Sequence, residues 1–121
     1  MLPDPVAAVQ RYHNAWNERD DASRLAMLVE IWDDEGFYID PEIPEGLHGP
    51  KALSAFIAKS FEDYPGLVVA ATTRPAVQRD RAWYEWTVTT AAGQSFSGID
   101  FIEFAPDGRI TRVTNFYYDP P

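Results

Sequence analysis

The chain of 121 residues contains no cysteine. That absence excludes a disulfide framework, thiolate catalysis and Cys-ligated metal sites, and it suits a reducing compartment. Histidine is nearly as scarce: His13 and His48 are the only two. Neither stands in a paired spacing that would hold an ion, so no metal site is expected. Basic residues are also few, 10 Lys and Arg against 19 Asp and Glu, for a formal charge of -9 and a pI near 4.5. A surface of that sign repels a phosphate backbone or an anionic membrane, so nucleic acid and membrane partners are set aside. No run reaches the ~18 apolar residues of a membrane span. The opening MLPDPVAAVQRY has no basic leader before an apolar stretch, and a soluble cytoplasmic protein is the expectation. A glycine-rich phosphate loop, a nucleophile elbow and an HExxH string are all missing, and no cofactor is expected.

Large rings, by contrast, are plentiful. Apolar residues make up 45% and aromatics 14%, with 4 Trp, 6 Tyr and 7 Phe. A single domain spanning residues 1–121 buries roughly two thirds of its unfolded surface, which leaves room for a core with a pocket. The ring content suits the lining of such a cavity or of an interface.

Periodicity divides the chain. DPVAAVQRYHNAWNERD reads as a helix with Asp4 as cap and Pro5 in its first turn, and Val6, Val9, Tyr12, His13 and Trp16 share one face. A second helix is predicted from Ala22 to Trp32, capped by Asp21, with Leu25, Leu28, Val29 and Trp32 inward. GFYID reads as a short strand. GPKALSAFIAKSF reads as a third helix with Leu53, Phe56, Ile57, Ser60 and Phe61 on one face, stopped at Tyr64, Pro65 and Gly66. Strand patterns then follow in LVVAATT, RAWYEWTVTT, QSFSGIDFIEFA and RITRVTNFYY, the last two joined by the turn string PDG. The order predicts an α+β domain: three helices on one face of a curved, mostly antiparallel sheet.

Two carboxylates stand where alternation could bury them. In GIDFIEFA, Asp100, Ile102 and Phe104 share one face, while Ile99, Phe101 and Glu103 share the other, so the pattern leaves the buried side open. Asp40 ends its strand in a DP pair, which is ordinary turn chemistry as well as a candidate acid. Tyr12 reads equally as a core tyrosine. His48, before Gly49, suits a loop contact, and the acids Asp40, Glu42 and Glu45 suit a solvated loop.

Three strings carry a resemblance. VQRY on the first helix, YIDP followed by LHGPKALSAF, and GIDFIEF followed by PDGRI resemble the delta-5-3-ketosteroid isomerases and the wider nuclear transport factor 2-like superfamily, including the SnoaL-like polyketide cyclases. The resemblance implies a cone-shaped barrel enclosing an apolar pocket. It also implies Asp40 as general base, Tyr12 as oxyanion-hole tyrosine and Asp100 as a second, protonated acid. The chain departs from that pattern at Trp32 and Ile57, which stand where such isomerases carry tyrosines bonded to the catalytic one. The connection from Tyr12 to Trp32 is longer than the family's by about one helical turn, ~5 Å along the axis.

The expected function is therefore acid/base chemistry on a hydrophobic carbonyl compound, an isomerase or cyclase passing through an enolate. Tyr38, Phe56, Trp86 and Phe116 are the expected pocket lining. The alternative is a non-catalytic module for small-ligand binding or dimerisation on the same fold. Trp83, opposite in parity to Trp86, suggests a homodimer through the outer sheet face.

Overall fold

The computed structural model describes residues 4–118, so the outer limits of the expected domain lie outside the described residues. Helix α1 covers Pro5–Ala15, α2 Asp21–Ile31 and α3 Pro50–Asp63; the strands are β1 Trp32–Asp40, β2 Ile43–His48, β3 Val68–Ala71, β4 Ala76–Gln78, β5 Arg81–Thr89, β6 Ser95–Phe104 and β7 Ile110–Tyr117. The strands form one sheet in the order β2-β1-β7-β6-β5-β3, with β4 on the remaining part of the β5 edge. All pairings are antiparallel except β1 with β7. The three helices pack on this curved, unclosed sheet, as the pattern of elements predicted.

Local chemistry explains the boundaries. Asp4 caps α1 by accepting from the Ala7 amide at 2.9 Å, and Pro5 follows at the first turn. The cap of α2 is Asp20 rather than Asp21: its carboxylate accepts from Ser23 N at 2.8 Å. Asp21 lies in the first turn instead, paired with Arg24. Helix α3 begins after Gly49, whose φ of 85° suits a residue without Cβ, and its Pro50 again fills the first turn.

Three elements differ from expectation, one being β4, a short strand beyond those predicted. Trp32 does not close α2 but opens β1, fully buried with its ring stacked on Tyr12 at 5.8 Å. The inward stripe of α2 rotates accordingly to Arg24, Leu28 and Ile31, while Val29 stands in solvent. The acidic stretch after Asp40 is a hairpin rather than a solvated loop, with β2 pairing back on β1 through Asp40↔Ile43 and Phe37↔His48.

Arg24 is 1% exposed, yet every side of its guanidinium is engaged. Its Nε donates to Ser54 Oγ at 2.9 Å, Nη1 donates to the Glu18 carbonyl at 2.9 Å, and Nη2 pairs with Asp21. One buried cation thus ties the α1–α2 turn to α3.

The inner sheet face is organised in rows. Across β5, β6 and β7, Ala82 opposes Ile102 and Ile102 opposes Val113; next come Tyr84, Asp100 and Asn115; then Trp86, Gly98 and Tyr117. Gly98 is required in the third row. A Cβ there would lie 2.6 Å from the Trp86 ring and 2.0 Å from the Phe116 carbonyl. The missing side chain lets the indole lie across β6.

Candidate functional site

Between the inner sheet face and α1 and α3 lies a narrow cleft of about 40 Å³, open at its mouth. Asp40 and Asp100 both line it, at 5% and 2% exposure, on neighbouring regions of one wall. The expected lining residues Tyr38, Phe56 and Trp86 line it as well. Parity on β6 therefore resolves in favour of Asp100, Ile102 and Phe104 inward.

Asp40 is held at both oxygens. Tyr38 donates its hydroxyl to Oδ2 at 2.8 Å, and the Glu42 amide donates to Oδ1 at 2.8 Å. Burial pushes its carboxyl up from the ordinary value, while these donors pull it back. Both donors come from the local strand and turn, because residues two apart share a face. This is the physical reason for the YID string: a tyrosine placed two residues before a terminal aspartate reaches its carboxylate.

Asp100 is held at one oxygen only. Its Oδ1 accepts from Asn115 Nδ2 at 2.7 Å and from Trp86 Nε1 at 3.2 Å. No hydrogen bond of ordinary geometry to Oδ2 occurs among the described residues, although the Tyr84 and Tyr12 hydroxyls lie near Asp100. Burial pushes Asp100 up to about 7, against the pull of donors on Tyr84, Trp86 and Tyr12, with the Asp40 charge adding to the rise. Near neutral pH this acid is thus divided between its two forms.

Tyr12 departs from its expected place. Its side chain is fully buried and is not part of the cleft wall, and its hydroxyl has no hydrogen-bond partner although Asp100 lies near enough to raise it. The ring stacks on Trp32, which holds it behind the wall. Ile57, also sealed in the core, supplies no hydroxyl to bond it.

Tyr84, buried like Tyr12, takes the place on the cleft wall instead. It lies directly across the strand pair from Asp100, lines the cleft, and meets His13 Nδ1 at 3.1 Å. Burial lowers the His13 pKa, and its neutral ring shares one proton with the Tyr84 hydroxyl, the direction set by the tautomer. Tyr84 was legible in principle, since it shares the parity of Trp86.

Phe116 is a correction. It is 52% exposed on the outer face, and Asn115 and Tyr117 line the cleft in its stead. Counting by two from buried Ile110 would bring Phe116 inward. The register shift between Glu103↔Arg112 and Phe104↔Ile110 inserts one residue in β7 and reverses the parity beyond it. His48 packs its ring on Phe37 at 4.7 Å, a contact within the β1–β2 hairpin and away from the cleft. At the mouth, Tyr64 donates to Glu42 at 2.8 Å and is itself pushed up to about 12 by that bond.

Residues 9–113 match the SnoaL-like domain, and the chain belongs to that family. No curated protein matches the chain. Among solved structures, a candidate isomerase of the SnoaL-like family from Agrobacterium tumefaciens str. C58 superposes with a TM-score of 0.85 at 24% identity, covering 93% of this chain and 96% of that one. A candidate ketosteroid isomerase from Kribbella flavida DSM 17836 gives 0.72 at 21% identity, covering 97% and 82%. An NTF2-like protein of unknown function from Exiguobacterium sp. 255-15 gives 0.73 at 21% identity, covering 93% and 99%. These likenesses establish the NTF2-like cone fold. The family and fold suggest isomerase or cyclase chemistry as a class.

Proposed function

We propose that the chain is a cofactor-independent acid/base enzyme, of the isomerase or cyclase type, acting on a hydrophobic carbonyl compound through an enolate. The observation that carries this reading is the pairing of two buried carboxylates with different hydrogen-bonding on one apolar cleft. Asp40, stabilised at both oxygens, is the base. It takes a proton from the carbon beside the carbonyl; the C–H electron pair becomes part of the enolate and negative charge moves to the carbonyl oxygen. Asp100 in its neutral form donates from Oδ2 to that oxygen. Tyr84 supplies a second hydroxyl when its proton turns from His13, the role expected of Tyr12. Tyr12 then acts from behind the wall, through Asp100. Asp40 returns the proton to a second carbon in an isomerisation; in a cyclisation the enolate carbon attacks a second carbonyl, whose π electrons move to its oxygen, and Asp40 returns the proton to the alkoxide so formed.

The test is binding of a naphthol, a planar phenol that mimics the enolate, measured against pH for the wild type, Asp40→Asn, Asp100→Asn and Tyr84→Phe. Binding should tighten in Asp40→Asn, which removes a like charge, and weaken several-fold in Tyr84→Phe. Tyr12→Phe should change it far less, since that hydroxyl is not on the wall. Absence of binding in all variants would favour the second reading, a non-catalytic ligand-binding module. That reading is motivated by the withdrawn Tyr12 and by Trp32 and Ile57 in place of supporting tyrosines.

Either form is proposed to act as a homodimer in the cytoplasm. Trp83, Phe116 and Tyr118 stand 41%, 52% and 55% exposed on the outer sheet face, the surface offered for the second subunit. Among the described residues no helix is long and apolar enough to cross a membrane.

A further inference from the structure

The cleft wall has an electrostatic character that the enolate reading alone does not use. Eight of its sixteen lining residues are aromatic and three are carboxylic acids, Asp40, Glu42 and Asp100. No Lys, Arg or His is among them. Trp86 stands nearly perpendicular to both Phe96, at 89° and 6.1 Å, and Tyr117, at 83° and 5.6 Å. Phe96 and Tyr117 also touch, with ring centroids 5.5 Å apart. Three mutually inclined rings of this kind form a corner, and aromatic faces attract cations through their quadrupole. Beside the corner two acceptors are left over, while the buried Tyr12 hydroxyl near Asp100, which can donate or accept, is also without a partner. Asn115 gives its amide N–H to Asp100, and its Oδ1 is buried with no partner; Asp100 Oδ2 is likewise unengaged among the described residues. A buried acceptor without a donor is costly, so a donor supplied by the ligand would gain on entering.

We propose that the cleft takes a hydrophobic ligand carrying a protonated amine, with the cation in the corner of Trp86, Phe96 and Tyr117 and its charge facing Asp40, Asp100 and Asn115 Oδ1. This rests on the enolate reading only in adding a carbonyl to that ligand. The amine supplies the positive charge that the wall lacks, and an ammonium near the carbonyl also acidifies the adjacent C–H bond, which assists proton removal by Asp40. The enolate is thereby formed next to a cation that the substrate brings with it.

The pH dependence follows from the groups around Asp100. Tyr12 faces it from α1, Asp40 from β1, Tyr84 and Trp86 from β5 and Asn115 from β7, with His13 behind Tyr84. None of these faces it as a cation at neutral pH. A bound ammonium therefore favours the ionised form of Asp100, and affinity for it rises with pH; Asp100 then pairs with the cation, and the Tyr84 hydroxyl alone meets the enolate oxygen.

The experiment compares benzylammonium with ethylbenzene, which have nearly the same shape and differ in charge and in N–H donors, by calorimetry or by quenching of tryptophan fluorescence in the wild-type protein. The cation should bind at least about tenfold tighter. Its advantage should grow severalfold between pH 6 and 8, and the growth should vanish in Asp100→Asn. Equal affinity for the two ligands, or preference for the hydrocarbon at every pH, would overturn the inference. The naphthol measurement separates the two ideas. Naphthol binding without an ammonium preference sinks the amine and leaves the enolate reading standing; an ammonium preference without naphthol binding keeps the amine on a non-catalytic module.

Discussion

At the scale of single residues, one carboxyl links the site to the stability of the protein. Asp100 titrates at about 7 in the folded chain, against ~3.9 for an unperturbed aspartate. Its pKa is raised on folding, so between those two values the native state binds more protons than the unfolded chain. Below about pH 4 both states are protonated and the burial of this group carries no charge penalty. As pH rises toward 7 the penalty grows, and above that value it is constant, of the order of 4 kcal/mol. Asp100→Asn lacks the titration while keeping a side chain of the same shape. The difference in unfolding free energy, wild type minus variant, should therefore fall between pH 4.5 and 7.5 and flatten beyond, which urea titrations of both proteins would reveal. A constant difference across this range would mean that the carboxyl is solvated in the native state. The same reasoning explains why Asp100 was only half legible in the sequence. Alternation placed one acid on each face of GIDFIEFA, and no local rule decides between them; the decision lies in the opposing strands, where Tyr84 and Asn115 flank Asp100 and Arg112 opposes Glu103.

At the scale of elements, the helices and strands followed from periodicity and caps, and the failures have identifiable causes. The third helix and the β5–β7 meander read correctly because long periodic runs ended at Pro, Gly or Asp-Gly strings. Trp32 was assigned to a helix because its spacing from Leu28 fits a 3.6 period, yet the same ring serves as the first inward residue of β1. Phe116 failed through an inserted residue in β7 that no pattern in RITRVTNFYY announces. Arg24 is the most instructive case, since a charged residue in a helix is expected outside. Its burial is sustained by three different partners, of which Ser54 and the Glu18 carbonyl are neutral. Asp21, the charged partner, has a side chain 84% exposed and is screened by water. Arg24→Ala should accordingly cost about 2–4 kcal/mol, through lost packing and stranded acceptors between the helices. Asp21→Ala should cost less than about 1 kcal/mol. Denaturant midpoints of the two variants would check this ordering. If Asp21→Ala were as damaging as Arg24→Ala, the ion pair rather than the hydrogen-bonded packing would be holding the helices.

At the scale of the whole molecule, the two faces of the sheet differ in what they present, and the net charge acts on both. The inner face builds the cleft from rows running across β5, β6 and β7, while the outer face presents Trp83, Phe116 and Tyr118 to solvent. Tyr118 is steadied there by its 2.7 Å bond to Glu85, itself an outward residue of β5. Association through this face would bury exposed rings, each worth roughly 1.5–3 kcal/mol when fully removed from water. It must also bring together two chains of formal charge -9. That repulsion is long-ranged at low salt and is cut off beyond about 8 Å at physiological ionic strength. The proposed dimer should therefore strengthen with added salt, opposite to an interface held by ion pairs. Sedimentation at micromolar concentration should give a dimer mass at 0.15 M salt and a shift toward monomer at 0.01 M. Phe116→Asp should be monomeric in both while leaving the naphthol and ammonium affinities unchanged, because its side chain lies on the face away from the cleft. A wild type that stays monomeric at every salt concentration would remove the second subunit from the proposal. A ligand affinity that changed with Phe116→Asp would instead show that the two sheet faces are coupled through Asn115 and Tyr117, its neighbours on the cleft side of β7.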